Sequence, residues 1–294
     1  MSDSTINRII REQYGADVNI TRREPVFGGD INRTCRLQLS DGRAVFMKEN
    51  QGKAADFFTA EAEGLRAIAS TGQIGTIDVI GTGEENSVAF LLLSYVDGAK
   101  RIPDFWEVFG SELANMHLAD PSAFVPGGSF GFTINNFIGA TRQINTPCNT
   151  WIDFYRQYRL EVQFHMASSY FDREQKIRIN HLLDRLDRFL VEPKQPSLLH
   201  GDLWSGNFMV GNEGKAILID PAVYVGHPEA DLAMTELFGG FREAFYTSYQ
   251  EKNPLQPGYA DRRDLYNLYQ LLNHLNLFGG SYYGSVMRIV DHYA

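Results

Sequence analysis

The chain has 294 residues, 44% of them apolar, enough to build a sizeable core and too many for a disordered or fibrous protein. At roughly 150 residues per domain, this length points to about two domains or lobes. Lysine and arginine number 27 against 36 acids, a net charge of −9. That argues against a general nucleic-acid binder, because phosphate backbones need basic surface.

No repeat, low-complexity tract or long charge run breaks the sequence. Ile20–Phe27 reads as a strand stopped by Gly28-Gly29-Asp30. Cys35, Leu37 and Leu39 alternate along a second strand, Arg33–Leu39. Ser40-Asp41-Gly42 is a hairpin turn, since Asp-Gly tolerates positive φ, and Ala44–Glu49 is the returning strand. Lys53–Ser70 reads as a helix with Phe57, Leu65 and Ile68 on one face. Ile77–Ile80 and Val88–Tyr95 read as two more strands around a turn region at Gly81 and Gly83. The longest strongly apolar stretch, Val88–Val96, is far short of the ~20 residues of a membrane span.

Beyond Asp97-Gly98 the texture is mostly helical. Phe105–Leu118, Trp151–Tyr170, Arg173–Leu190, Leu232–Ser248 and Arg263–Phe278 are predicted helices. Leu198–Leu199, Phe208–Val210 and Ala216–Ile219 are predicted short strands. The order predicts an α+β chain: a small β-rich lobe with one helix over 1–94, then a larger, mostly helical lobe over 95–294. The N-terminus lacks a basic region followed by an apolar run, so no secretory signal is read. Cys35 and Cys148 form no disulfide framework. A cytoplasmic protein with no membrane partner is expected, and the sequence leaves the oligomeric state open.

The most informative stretch is His200-Gly-Asp-Leu-Trp-Ser-Gly-Asn207, followed thirteen residues later by Asp220-Pro221. A hairpin over 208–219 brings Asn207 and Asp220 side by side. An amide oxygen and a carboxylate at one point suit Mg²⁺, with waters and phosphates as its other ligands. Asp202, five residues before Asn207, is left to face a substrate hydroxyl as a base. The spacing resembles the kinase catalytic pattern, and the glycine after the histidine resembles the aminoglycoside-phosphotransferase-like branch.

A kinase needs a lysine on a strand for the ATP phosphates and an acid to hold it. Lys48 shares a strand face with Phe46. Glu61 lies four residues after Phe57 and four before Leu65, on the buried stripe of its helix, whereas Glu63 faces solvent. An acid on an apolar stripe is costly unless paired, so Glu61 is expected to pair with Lys48. Gly28, Gly29 and Asn32 are expected in the turn over the phosphates, where small residues let backbone N–H groups approach. Ser94, Tyr95 and Val96 are expected in an inter-lobe hinge whose backbone meets adenine. A buried strand is the plain alternative there.

From about Gly28 to its C-terminal helices the chain resembles the fructosamine kinase family, which includes ribulosamine and erythrulosamine kinases. The resemblance rests on Trp204 within Asp-Leu-Trp-Ser-Gly-Asn, and on the run Ile219–Phe241. A third piece comprises Phe130-Gly131-Phe132, Asn136, Gly139, Gln143, Asn145, Trp151, Phe154 and Arg159. It implies an ATP- and Mg²⁺-dependent kinase acting on a hydroxyl, the 3-hydroxyl, of a ketoamine, either a small molecule or a glycated protein lysine. It also implies Asp202 as base, Asn207 and Asp220 on metal, and Lys48 on the phosphates. Trp204, Gln143, Trp151 and Arg159 are then substrate-side candidates. Several family members carry Cys in the glycine-rich turn, where this chain has Asp30, so redox control through that turn is not expected here.

Other readings stay open at this level: an aminoglycoside- or choline-type kinase, or a pseudokinase. Gly127-Gly-Ser-Phe-Gly131 formally matches a hydrolase nucleophile elbow, but Pro126 before it and Thr-Ile-Asn-Asn after it suggest a loop. Trp151, Tyr155 and Arg159 share a helix face that either stacks on substrate or packs between helices. Asp231 either caps a helix starting at Leu232 or braces the catalytic loop from behind. His200 is read as a loop brace and His117 as packing.

Overall fold

The structure, a computed structural model, describes residues 4–26 and 32–294. Its first element lies outside the predicted ones: α1 (Thr5–Tyr14), whose Ile6 and Ile10 are buried. Then come β1 (Ile20–Val26), β2 (Arg33–Leu39), β3 (Ala44–Asn50), α2 (Ala55–Ser70), β4 (Gly75–Thr76), β5 (Val79–Glu85) and β6 (Val88–Ser94). An antiparallel sheet has the order β1-β2-β3-β6-β5.

Strand alternation explains this region. Phe90 and Leu92 of β6 join Leu37, Val45 and Met47 beneath α1. Leu91 and Leu93 face the other way, against Phe57, Phe58 and Leu65 of α2. A central strand covered on both faces is apolar throughout, which is why Val88–Val96 is so apolar without spanning anything. Among the described residues no helix is long and apolar enough to cross a membrane.

Gly81 and Gly83 are not a turn. Both lie inside β5, where a Cβ would sit 2.8 Å from Ile9 and 2.9 Å from the Phe90 ring. They make room for packing. The turn is Asn86-Ser87, both with positive φ, as a tight hairpin requires.

The rest is α3 (Phe105–Leu118), β7 (Asn136–Ile138), β8 (Thr141–Gln143), α4 (Trp151–Tyr155), α5 (Glu161–Met166), α6 (Arg173–Asp184), β9 (Ser197–Leu199), β10 (Phe208–Val210), β11 (Ala216–Leu218), β12 (Tyr224–Gly226), α7 (Glu229–Leu237), α8 (Glu243–Lys252), α9 (Tyr259–Phe278) and α10 (Tyr283–Tyr293). The expected Trp151–Tyr170 helix carries a π-helical turn between α4 and α5. The expected Leu232–Ser248 helix is two helices. Gly239 and Gly240, at φ 71° and 100°, break it.

Several contacts tie the sheet region to the helical one. β4 pairs in parallel with β11, and the Thr76 hydroxyl donates to the Leu218 carbonyl at 2.9 Å. Gly64 of α2 meets Pro221 and Val223; a Cβ there would lie 3.2 Å from Val223.

Candidate active site

The hairpin of β10 and β11 pairs Phe208 with Leu218, and the Ile219 amide donates to the Asn207 carbonyl at 3.1 Å. Asn207 and Asp220 therefore flank the same hairpin end, as the spacing predicts. Asp220 takes a left-handed backbone, φ 53°, a conformation that Asp tolerates better than most residues. Asn207 Nδ2 donates to the Asp202 carbonyl at 2.8 Å and to its carboxylate at 3.1 Å.

Lys48 on β3 is buried, and its Nζ donates to Glu61 Oε1 at 2.7 Å and to Asp220 Oδ1. Burial alone would pull the Lys48 ammonium down, but the Glu61 and Asp220 carboxylates together hold it above its ordinary value. Burial raises the Glu61 carboxyl, with Lys48 opposing and Asp220 adding to the rise. Glu63 is half-exposed and paired with Arg66, so the helix phase read from Phe57 and Leu65 holds. One turn beyond Glu61, Gly64 rests on Pro221, so α2 touches the segment that carries Asp220.

Asp202 is half-buried. Burial pushes its carboxyl up to about 7, Asn207 pulls it down, and the Asp220 and Asp231 charges push it up again. A carboxylate with that poise suits proton acceptance near neutral pH.

The loop's own geometry explains its glycine. Gly201 has φ 82°, and a Cβ there would lie 2.1 Å from the Ala222 carbonyl oxygen. Its amide and that of His200 donate to the two oxygens of buried Asp231, at 2.8 and 2.7 Å. Asp231 lies inside α7, behind the Pro228 start, so it braces the loop and caps no helix. His117 Nε2 also meets Asp231 at 3.2 Å, and its Nδ1 meets the Tyr249 hydroxyl at 2.8 Å. His117 is thus a member of a polar relay, more than plain packing. His200 is a brace as expected: Nε2 donates to the Ile219 carbonyl at 2.9 Å.

Three substrate-side candidates are corrected. Trp151 is fully buried among Tyr155, Tyr224, His227 and Tyr266. Arg159 is fully buried too, donating to the Ile144 carbonyl and Asn145 Oδ1 and lying 4.1 Å over the Tyr224 ring. Carbonyl oxygens and ring faces surround this cation, and among the described residues no carboxylate pairs with it. Gln143 is buried as well. Its Nε2 donates to the Ala222 carbonyl at 3.0 Å and to Asn136 Oδ1 at 2.8 Å, while Asn136 Nδ2 donates to the Val223 carbonyl at 2.7 Å. These side chains hold the backbone just after Asp220. Their polar and aromatic types look the same in sequence whether they meet a ligand or a carbonyl.

Trp204 keeps a surface position, 39% exposed, with its ring over Gly206 and 6.3 Å from Phe238. Asn32, just before β2, accepts from Asn50 Nδ2 at 2.9 Å. Gly28 and Gly29 lie outside the described residues. Ser94 is the last residue of β6. Tyr95 beyond it takes Arg36 over its ring at 4.7 Å, and Val96 packs against the α2 cluster. Among the described residues no group of three or more His, Cys, Asp or Glu forms a ready metal cage. Ser129 sits in a loop whose amide donates to the Cys148 carbonyl at 2.8 Å, with no helix following it, so it is not on a nucleophile elbow.

The fold is similar to that of aminoglycoside phosphotransferase APH(4)-Ia, crystallised as a thermostable mutant with AMP-PNP and hygromycin B (TM-score 0.62, 18% identity, 98% of each chain). It is more similar to a Haemophilus somnus protein assigned as a fructosamine-3-kinase (TM-score 0.85, 27% identity, 98% of this chain and 96% of that one). A β-sheet N-terminal region, a helical C-terminal region and the Asp202–Asn207–Asp220 loop thus define a kinase-like fold. The family model for fructosamine kinase matches residues 2–294. A Synechocystis protein assigned as a ketoamine kinase is 40% identical over 280 residues, covering 95% of this chain and 92% of its own. The chloroplastic protein-ribulosamine 3-kinase of Arabidopsis thaliana is 37% identical over 296 residues, covering 100% and 88%. The chain belongs to the fructosamine kinase family, and it is a phosphotransferase with an alcohol group as acceptor.

Proposed function

We propose that the chain transfers the γ-phosphoryl group of ATP to the 3-hydroxyl of a ribulosamine or fructosamine adduct. The observation that carries this is the convergence of Asp202, Asn207 and Asp220 with the Lys48–Glu61 pair, from three separate stretches of sequence, at one point. The name of the Arabidopsis relative supports ribulosamine and the 3-position.

Asp202 accepts the proton of the substrate hydroxyl as its oxygen attacks phosphorus. Glu61 fixes the Lys48 ammonium, which neutralises charge on the phosphates. Asn207 spends its amide nitrogen on Asp202, which leaves its oxygen for a cation. With the Asp220 carboxylate it would give an all-oxygen pair of the kind that suits Mg²⁺. Bound there, the ion supplies charge neutralisation on the transferring group. In this reading Gly28, Gly29 and Asn32 serve the ATP phosphates, and Ser94, Tyr95 and Val96 serve adenine, between lobes 1–94 and 95–294. Catalysis is then mostly positioning and electrostatics. Two free cysteines, Cys35 and Cys148, suit a reducing cytoplasm.

The test is a substrate panel: ATP and Mg²⁺ with ribulose-lysine, fructose-lysine and kanamycin, followed by phosphorus–proton NMR of the product. Phosphorylation of a ketoamine at its 3-hydroxyl is expected. Turnover of kanamycin alone would overturn the substrate class, and a phosphate on another hydroxyl would overturn the position.

A further inference from the structure

A chain of exposed and half-buried rings leads away from the catalytic loop. Trp204, two residues beyond Asp202, lies 6.3 Å from Phe238. Phe238 lies 5.2 Å from His274, and His274 lies 5.4 Å from Phe278 and 5.1 Å from Tyr282. Trp204, Phe238 and Phe278 are 39%, 43% and 51% exposed, far more than large apolar side chains usually are.

The strip is built into the loop. Gly240, two residues after Phe238, meets Ser205; a Cβ there would lie 2.6 Å from the Ser205 Cβ. Gln270, one helical turn before His274 on α9, donates to the Gly201 carbonyl at 2.9 Å. His274 Nδ1 donates to the Gln270 carbonyl at 2.8 Å, and burial holds the ring below its ordinary pKa. A neutral ring protonated at Nδ1 leaves Nε2 as an acceptor.

We infer that this strip holds the amine-bearing part of the acceptor, a glycated lysine side chain and the peptide around it. The inference rests on the ketoamine reading above. In a ketoamine, four bonds separate the 3-hydroxyl oxygen from the amine nitrogen, roughly 5 Å. A hydroxyl held at Asp202 therefore keeps the nitrogen within about 5 Å of its own oxygen, on the scale of the loop that also carries exposed Trp204. That nitrogen is a secondary amine, cationic near neutral pH, and cations favour aromatic faces. A lysine's methylenes then run over the following rings. The chain's surplus of acids also draws cations rather than anions.

The experiment compares two ribulosamines, one on the lysine of a short Nα-acetylated peptide and one on methylamine, in wild type, Phe238→Ala and Phe278→Ala. Both phenylalanines are half-exposed, so truncation leaves folding intact. The expected result is a fall of about tenfold in the ratio of kcat/KM for the peptide adduct to that for the methylamine adduct. An unchanged ratio in both variants overturns the inference. So does a change in sedimentation coefficient on substitution, which would give the strip to a second copy of the chain. Failure of wild type to phosphorylate either adduct overturns the ketoamine reading itself and this inference with it.

Discussion

Asp202 and Asp231 serve the same loop from opposite sides, and their surroundings give them different work. Asp202 is half-buried, with one amide donor, from Asn207, and two neighbouring negative charges. Asp231 is buried and receives two backbone amides and a histidine. The front of the loop collects charge that must change partners during a reaction. The back collects hydrogen bonds that never need to change. A carboxylate is therefore chemical or architectural according to its partners, and removing each should give opposite signatures.

The largest effect is expected at the front. Asp202→Asn should lower kcat about a thousandfold, within the range for a lost general base, with the melting temperature nearly unchanged. Asp231→Ala should do the reverse first. It orphans two buried amides at ~1–3 kcal/mol each, so thermal melting should fall by several degrees or more before activity is considered.

Next comes the ion-pair cluster. Lys48→Met should raise KM for ATP at least tenfold, and Glu61→Gln should raise it by less, because the lysine keeps its charge and its Asp220 contact. Equal effects would mean that Glu61 does more than hold Lys48. The smallest effect at neutral pH is expected further behind the loop. Burial first, then Arg262 and His117, push His227 down to about 3. The unfolded chain takes up a proton near pH 6.5 and the folded one does not, so stability falls as pH drops from about 6.5 towards 3. The slope from this group is at most ~1.4 kcal/mol per pH unit. Urea melts at stepped pH should be flatter in His227→Gln.

Much of this was legible in the sequence because it followed from spacing. Asp202, Asn207 and Asp220 are linked by a short hairpin, and Glu61 is phased by Phe57 and Leu65, so local periodicity fixes their faces. What escaped was set by distant contacts. Gly81 and Gly83 look like turn residues until Ile9 and Phe90 pack on them. Gln143, Trp151 and Arg159 look like ligand contacts until the carbonyls and rings they meet are known. Asp231 could cap or brace, and only the approach of His200, thirty-one residues away, decides it.

The most direct measurement pairs ADP release with thermal melting for wild type, Asp202→Asn and Asp231→Ala, using ATP, Mg²⁺ and ribulose-lysine. The account predicts ketoamine-dependent ADP release by wild type, its loss in Asp202→Asn at an unchanged melting temperature, and a lowered melting temperature in Asp231→Ala. Retained turnover in Asp202→Asn, or no ketoamine-dependent release by wild type, would contradict it.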